Sequence, residues 1–135
     1  MVSDFRSYAN LDLTVNSRLV VLTGDNGAGK TNLLEALSLF GPGRGLRRAD
    51  LSDMIREGAP NGFSVSVLLD IGTDQVRLGT GADPATPDMA VTRKARIDGE
   101  TVSSTTQFAD YLRFVWLTPA FDGLFSGSAG DRRRF

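Results

Sequence analysis

The sequence contains no cysteine and no histidine. This excludes disulfide bonds, thiol catalysis, zinc sites built on Cys or His, and any Ser-His-Asp arrangement. No apolar run approaches the length of a membrane span, and residues 1–6 lack the apolar stretch of a signal peptide. We therefore expect a cytoplasmic protein without a membrane partner.

An excess of charge of one sign is also missing, because 15 basic and 16 acidic residues leave a net charge of −1. The overall charge thus gives no indication of a nucleic-acid partner. Local clusters are more informative, and each has two interpretations. The cluster contacts phosphate or DNA; alternatively, it forms a solvated face or an ion pair within the protein. The basic clusters are Arg44, Arg47 and Arg48; Arg93, Lys94 and Arg96; and Arg132, Arg133 and Arg134.

One motif organises the chain, the G-x-x-x-x-G-K-[ST] pattern at Gly24–Thr31. Its glycines permit positive φ and close approach of the backbone to phosphate. Successive N–H groups then form an anion nest at the positive end of a helix dipole. Lys30 is expected to reach the β- and γ-phosphates, and the Thr31 hydroxyl to bind Mg²⁺. The alternative is an ordinary glycine turn between a strand and a helix.

The flanks of the motif favour the phosphate-binding interpretation. Leu19–Thr23 is a compact apolar run that predicts a buried strand. The residues after the motif predict a helix with Leu33, Leu37 and Phe40 on one face, which ends at the glycines and proline of residues 41–43. Strand, glycine loop and helix are the context that this motif requires.

The remaining pattern predicts one domain over residues 1–135, of α/β class, in which an antiparallel β meander accompanies the P-loop unit. A first strand should end within Phe5–Tyr8, and a short helix should begin after Asp50 and stop at Gly58. Residues 81–88 should form a mobile loop. The other predicted elements are strands at residues 11–15, 63–70, 75–80, 91–97, 100–102 and 114–117, a hairpin turn at Asp98-Gly99, and helices at residues 106–112 and from Ser128 onward.

Four segments, in order along nearly the whole chain, resemble the RecF family. Asp4–Tyr8 resembles its FRNY opening, Gly24–Ala36 its GxNGxGKTNLLEA segment, and Gly43–Arg47 its GRSFR segment. Leu117–Pro119 with Gly130–Phe135 resembles its SPED and RRxFLD region. Only the last of these segments separate RecF from general SMC-like ATPases.

The resemblance implies a P-loop NTPase fold, the N-terminal lobe of an ABC/SMC-type ATPase head. It implies binding of ATP and Mg, a homodimer formed around ATP, engagement of DNA at gaps, and work with RecO and RecR. The implied metal ligand is Thr31, and Arg6 would approach the nucleotide. The cofactor-binding set is Asn26, Gly27, Ala28, Gly29, Lys30, Thr31, Asn32 and Arg6.

The sequence departs from the family pattern at several points. It has no strand ending in Asp-Glu and no LSxGQ-type signature loop, and Ala120 follows Thr118-Pro119 where the family usually has an acidic residue. Phosphoryl transfer to water needs a positioned carboxylate or an equivalent group. We therefore expect a truncated head that binds ATP without efficient hydrolysis, and no complete catalytic set.

Two other functions compete with a RecF-like repair ATPase. One is the ATPase of another SMC-like family, such as a nuclease-associated defence ATPase. The other is a non-enzymatic DNA-binding module with a structural P-loop, which would bind DNA with a steep salt dependence regardless of nucleotide. A transporter ATPase is disfavoured by the resemblance at Phe5–Tyr8 and at the arginine-rich end.

Overall fold

The computed structural model describes residues 1–86 and 89–117. Its centre is a six-stranded antiparallel sheet with the strand order β2-β1-β3-β4-β5-β6. Within the described ranges, no helix is long and apolar enough to cross a membrane. The elements are β1 (Val2–Phe5), β2 (Tyr8–Leu11), α1 (Lys30–Ser38), α2 (Leu51–Met54), β3 (Phe63–Ile71), β4 (Asp74–Ala82), β5 (Arg93–Ile97), β6 (Glu100–Thr101) and a 3₁₀ helix (Thr105–Asp110).

The predicted meander is confirmed. β3 and β4 pair along their whole length, from Phe63 opposite Ala82 to Ile71 opposite Asp74. The turn between β5 and β6 is formed by Asp98 and Gly99, with φ of 50° and 89°. A two-residue hairpin turn of type I′ needs positive φ at both positions, which the Asp-Gly pair tolerates well. The loop predicted from residue 81 begins later, because β4 continues to Ala82.

The inner face of the sheet and α1 share one hydrophobic core. Phe5 and Phe63 meet edge to face with ring centroids 5.2 Å apart, which joins β1 to β3. The ring centroids of Phe40, just beyond α1, and Phe108 of the 3₁₀ helix are 5.4 Å apart. The predicted apolar face of α1 is only partly right, because the residues that α1 itself buries are Glu35, Ala36 and Ser38.

The predicted strand before the P-loop is wrong in this structure. Residues 12–25 contain no strand, and the side chains of Leu19 and Val21 are 82% and 73% exposed. The apolar run satisfies the sequence signature of a buried strand. However, no strand of the described residues pairs with it, and an unpaired strand cannot satisfy its backbone hydrogen bonds.

Other boundaries differ for similar reasons. The second strand is β2, which ends at Leu11, so residues 12–15 of the predicted strand lie outside it. α2 ends at Met54 instead of Gly58 because the chain then follows β1, with Ile55 bridged to Phe5 and the Arg56 N–H bonded to Asp4 O at 2.8 Å.

The C-terminal predictions also need correction. The helix predicted at residues 106–112 is the 3₁₀ helix Thr105–Asp110, which buries Phe108 and leaves Tyr111 39% exposed. Residues 114–117 are not a strand, although Phe114 packs on the core and stacks on Trp116 with centroids 5.1 Å apart. The loop at Thr118-Pro119-Ala120, the helix from Ser128 and the cluster Arg132–Arg134 lie outside the described residues.

Candidate phosphate-binding site

The glycine-rich loop leads directly into α1, which begins at Lys30. Gly24, Gly27 and Gly29 have φ of 142°, 88° and 93°, as expected for the left-handed positions of the motif. The loop closes on itself through a hydrogen bond from the Ala28 N–H to Asp25 O at 3.2 Å. The backbone therefore has the conformation that only glycine adopts readily at these three positions.

The Lys30 side chain folds back over this loop. Its Nζ donates to the carbonyl oxygens of Gly24 at 2.7 Å and Asp25 at 2.8 Å. The ammonium group thus lies at the loop, with backbone carbonyls as its partners. Stronger anionic acceptors can replace such partners, because hydrogen bonds between ionised groups are the stronger ones.

The start of α1 is open to an anion. No acidic residue occupies the first turn of α1, and Asn26, Gly27, Ala28 and Thr31 are all exposed. The first N–H groups of a helix lack acceptors within the helix and lie at the positive end of its dipole. Exposed donors and a lysine beside them suit a phosphate group at this end.

The turn between β1 and β2 supports the loop from behind. A Cβ at Gly29 would lie 2.8 Å from the Tyr8 hydroxyl oxygen and 3.2 Å from Ser7 Oγ, so the turn packs directly on the Gly29 backbone. Asn32 Nδ2 also donates to Ser7 Oγ at 2.9 Å. The Asn32 side chain, included in the predicted nucleotide set, is therefore bonded to this turn.

Arg6 lies in the same turn and pairs with Glu35 of α1. Its Nε and Nη2 donate to the two carboxylate oxygens at 3.0 and 2.8 Å, and its Nη1 donates to Asp53 O at 2.7 Å. The hydrogen bond to Glu35 raises the pKa of Arg6, against an opposing effect of burial. Each of the three guanidinium nitrogens is thus bonded within the protein, and the approach of Arg6 to a nucleotide stays a prediction.

The first basic cluster lies on a loop, residues 43–48, that is fastened to α1. Arg47 Nη1 donates to Asn32 Oδ1 and to Glu35 Oε2, both at 3.1 Å. The Leu46 N–H donates to the buried Ser38 Oγ at 2.6 Å. Arg44 pairs with Asp50, and Arg48 is exposed. This loop, which we call the basic loop, therefore has a fixed position beside the P-loop helix.

The second basic cluster is divided between the two faces of β5. Arg93 faces inward, where its guanidinium donates to Leu39 O at the end of α1, to Gly43 O at 3.1 Å and to Thr80 Oγ1 at 3.0 Å. Burial lowers the pKa of Arg93. Lys94 and Arg96 are exposed, and Lys94 pairs with Asp83. Arg93 thus joins the sheet to α1 and the basic loop.

Sequence reasoning missed three residues that shape this site, namely Tyr8, Glu35 and Ser38. Glu35 and Ser38 are polar residues on the buried face of α1. No linear pattern connects Glu35 to Arg6, 29 positions away. The only available signal was the acidic residue within the apolar run of α1.

The glycine loop, the folded-back lysine and the helix that begins at that lysine are features of the P-loop class of folds, although residues 12–23 before the loop do not form the strand that this class has there. The chain belongs to the family described as RecF/RecN/SMC N terminal domain, whose model matches residues 1–113. It is 54% identical over 134 residues to the DNA replication and repair protein RecF of Rhizobium rhizogenes, and 53% identical over 135 residues to that of Agrobacterium fabrum. Each match covers 99% of this chain, which spans 35% of the length of these curated relatives. The resemblance to RecF is thereby confirmed.

Solved structures agree on the fold. The chain matches the recombination mediator protein RecF in its ATPrS structure with a TM-score of 0.79, at 22% identity, over 98% of this chain and 34% of that one. The ATP structure of RecF gives a TM-score of 0.75, also at 22% identity, over 98% of this chain and 35% of that one. Together with the family match over residues 1–113, these structures confirm the predicted α/β fold, that of the N-terminal lobe of an ABC/SMC-type head.

Proposed function

We propose that the chain binds ATP, with Mg²⁺, at the loop that ends in Lys30. The observation that carries this proposal is the position of the Lys30 ammonium over a loop with three positive-φ glycines, at the exposed start of α1. Lysine, backbone N–H groups and a helix N-terminus are the donors that bind nucleotide phosphates in P-loop proteins.

The residues of the predicted set from Asn26 to Thr31 each have a role in this proposal, whereas the side chains of Asn32 and Arg6 are bonded within the protein. The N–H groups of residues 26–31 hold phosphate oxygens, and Lys30 exchanges its bonds to Gly24 O and Asp25 O for phosphate. The exposed Thr31 hydroxyl ligates Mg²⁺. Among the described residues, no group of three or more His, Cys, Asp or Glu side chains could hold a metal.

We propose that these 135 residues by themselves bind the nucleotide without efficient turnover. Positioning of an attacking water requires a carboxylate or an equivalent group beside the γ-phosphate. The sequence has no Asp-Glu strand end and no signature loop that would supply such groups. We therefore expect binding of ATP with negligible steady-state release of phosphate.

For the longer proteins to which this chain is similar, we propose a role in DNA repair. The relatives carry the name DNA replication and repair protein RecF. The expected activities are ATP-dependent binding at DNA gaps, ATP-dependent homodimerisation, and work with RecO and RecR. The basic loop supports DNA contact, because Arg44 and Arg48 are exposed on a segment held beside the phosphate site. DNA binding by this chain without any effect of nucleotide would favour a DNA-binding module instead.

Isothermal titration calorimetry of the chain with Mg-ATP tests the nucleotide site. The proposal predicts saturable binding that is lost in Lys30→Ala, with Lys94→Ala as the control that removes an exposed lysine elsewhere. Circular dichroism of each variant establishes that it is folded. Absence of heat from the folded parent chain, or binding that survives Lys30→Ala, would refute the proposed site.

A further inference from the structure

Glu35 is a buried charge in the middle of α1. Its side chain is 0% exposed, and its two oxygens receive three hydrogen bonds from two arginines. A buried carboxylate is tolerated only when it is paired and hydrogen-bonded. Arg6 and Arg47 come from segments on either side of the P-loop, so Glu35 joins parts of the chain that lie far apart in sequence.

The same network reaches the phosphate-binding loop. The Arg47 nitrogen that binds Glu35 also binds Asn32 Oδ1, and the Asn32 amide binds Ser7 Oγ. Ser7 and its neighbour Tyr8 pack on the Gly29 backbone. A chain of direct contacts therefore runs from Glu35 to Gly29, immediately before the residue that carries the ammonium group.

Arg6 is held firmly in this network. It has a φ of 53°, which is uncommon for a residue with a side chain and persists only where the surroundings impose it. Its N–H donates to Met54 O at 2.8 Å, and its guanidinium bonds to Glu35 and to Asp53 O. Loss of the carboxylate would remove one of the two side-chain links between this turn and α1 described here, and would leave the bond from Asn32 to Ser7.

We propose that Glu35 is a positioning residue for the phosphate-binding loop, which it holds in shape through Arg6, Arg47 and the turn at Ser7 and Tyr8. This inference rests on the proposed nucleotide binding. The positioning role predicts that loss of the Glu35 charge lowers the affinity for nucleotide. Removal of a negative charge near bound phosphates would, on charge alone, strengthen binding, whereas loss of a positioning contact weakens it.

The test compares Glu35→Gln with the parent chain in the binding of a fluorescent ATP analogue with Mg²⁺. All measurements are made well below the unfolding temperature of each variant, so that altered stability does not enter the dissociation constant. We expect the dissociation constant to rise about tenfold, which is the typical effect of losing one contact within a coupled network. The matched control is Asp4→Asn, on β1. This change removes the carboxylate that pairs with Arg56 at 2.8 Å, and the variant should bind nucleotide like the parent.

A double-mutant cycle shows whether Glu35 acts through Arg6. The double variant Arg6→Gln, Glu35→Gln should bind nucleotide no more weakly than the single variant with the lower affinity. The reason is that each substitution breaks the same contact between Glu35 and Arg6. If Glu35→Gln does not fold, Glu35→Asp provides the same test, with a smaller loss expected because the charge is kept and the reach shortened.

The outcomes separate this inference from the function on which it rests. Parent-like or tighter binding by Glu35→Gln, or by Glu35→Asp where that variant is used, overturns the positioning role alone. Additive losses in the double variant overturn the part of the inference that runs through Arg6, because Glu35 would then act independently of that residue. Failure of the parent chain to bind, or binding that persists in Lys30→Ala, refutes the proposed function and the inference together.

Discussion

The two sides of the phosphate-binding loop contrast sharply. On the C-terminal side, α1 is held by the β1–β2 turn, the basic loop and Arg93, through hydrogen bonds to Glu35, Ser38 and Leu39. On the N-terminal side, residues 12–23 form no strand, and the apolar side chains of Leu19, Val20 and Val21 are exposed. The same loop thus joins a well-packed helix to an unpaired apolar segment.

This contrast shows that a segment of the chain is stabilised only where it has a partner for both its side chains and its backbone. β3 pairs with β4, which begins three positions after β3 ends, so the backbone groups of β3 have a neighbouring partner strand. The apolar run before the loop finds no partner strand in the described residues. Hydrophobic patterning indicates what a segment can bury, but a strand also needs a neighbour for its backbone groups.

The largest difference between the two regions should appear in stability. Phe5→Ala removes a fully buried ring that packs on Phe63, and should lower the free energy of unfolding by about 3–5 kcal/mol. Leu19→Ala, at a side chain that is mostly exposed, should change it by less than about 0.5 kcal/mol. Urea unfolding followed by circular dichroism measures both. Equal losses in the two variants would abolish the contrast between the regions.

The loop itself should respond more strongly where the β1–β2 turn supports it. Gly29→Ala places a methyl group against Tyr8 and Ser7 at a φ of 93°, and should cost about 2–3 kcal/mol of unfolding free energy. Gly27→Ala has a similar φ of 88° but open space around it, and should cost about 1 kcal/mol. Thermal and urea unfolding of the pair isolates the contact with the turn. A loss no greater in Gly29→Ala than in Gly27→Ala would contradict that contact.

A smaller effect is expected at the junction of the sheet with α1. Arg93→Ala removes hydrogen bonds to Leu39 O, Gly43 O and Thr80, and should lower the free energy of unfolding by about 1–2 kcal/mol. Lys94→Ala, on the outer face of the same strand, should cost less than about 0.5 kcal/mol. Urea unfolding again provides the measurement. A parent-like Arg93→Ala would show that Arg93 does not hold α1 to the sheet.

Much of this fold was predictable from local signals. The alternation in β3, the Asp98-Gly99 turn and the glycine pattern of the P-loop each determine a backbone conformation within a few residues. The strand at Leu19–Thr23 was mispredicted because its apolar pattern does not reveal whether a partner strand is present, and none of the described strands pairs with it. Glu35 was missed because its partners are 29 and 12 positions away. The sequence therefore predicted the local backbone conformation, but it did not predict contacts between residues that are distant along the chain.

Hydrogen exchange with and without Mg-ATP, followed by mass spectrometry, tests whether the glycine-rich loop binds nucleotide. Peptides that cover residues 24–32 should exchange more slowly with nucleotide, because their N–H groups would then bond to phosphate. Peptides from β3 should be protected in both conditions, and the effect at the loop should vanish in Lys30→Ala. Unchanged exchange at residues 24–32 in the presence of saturating Mg-ATP would show that the loop does not bind the nucleotide.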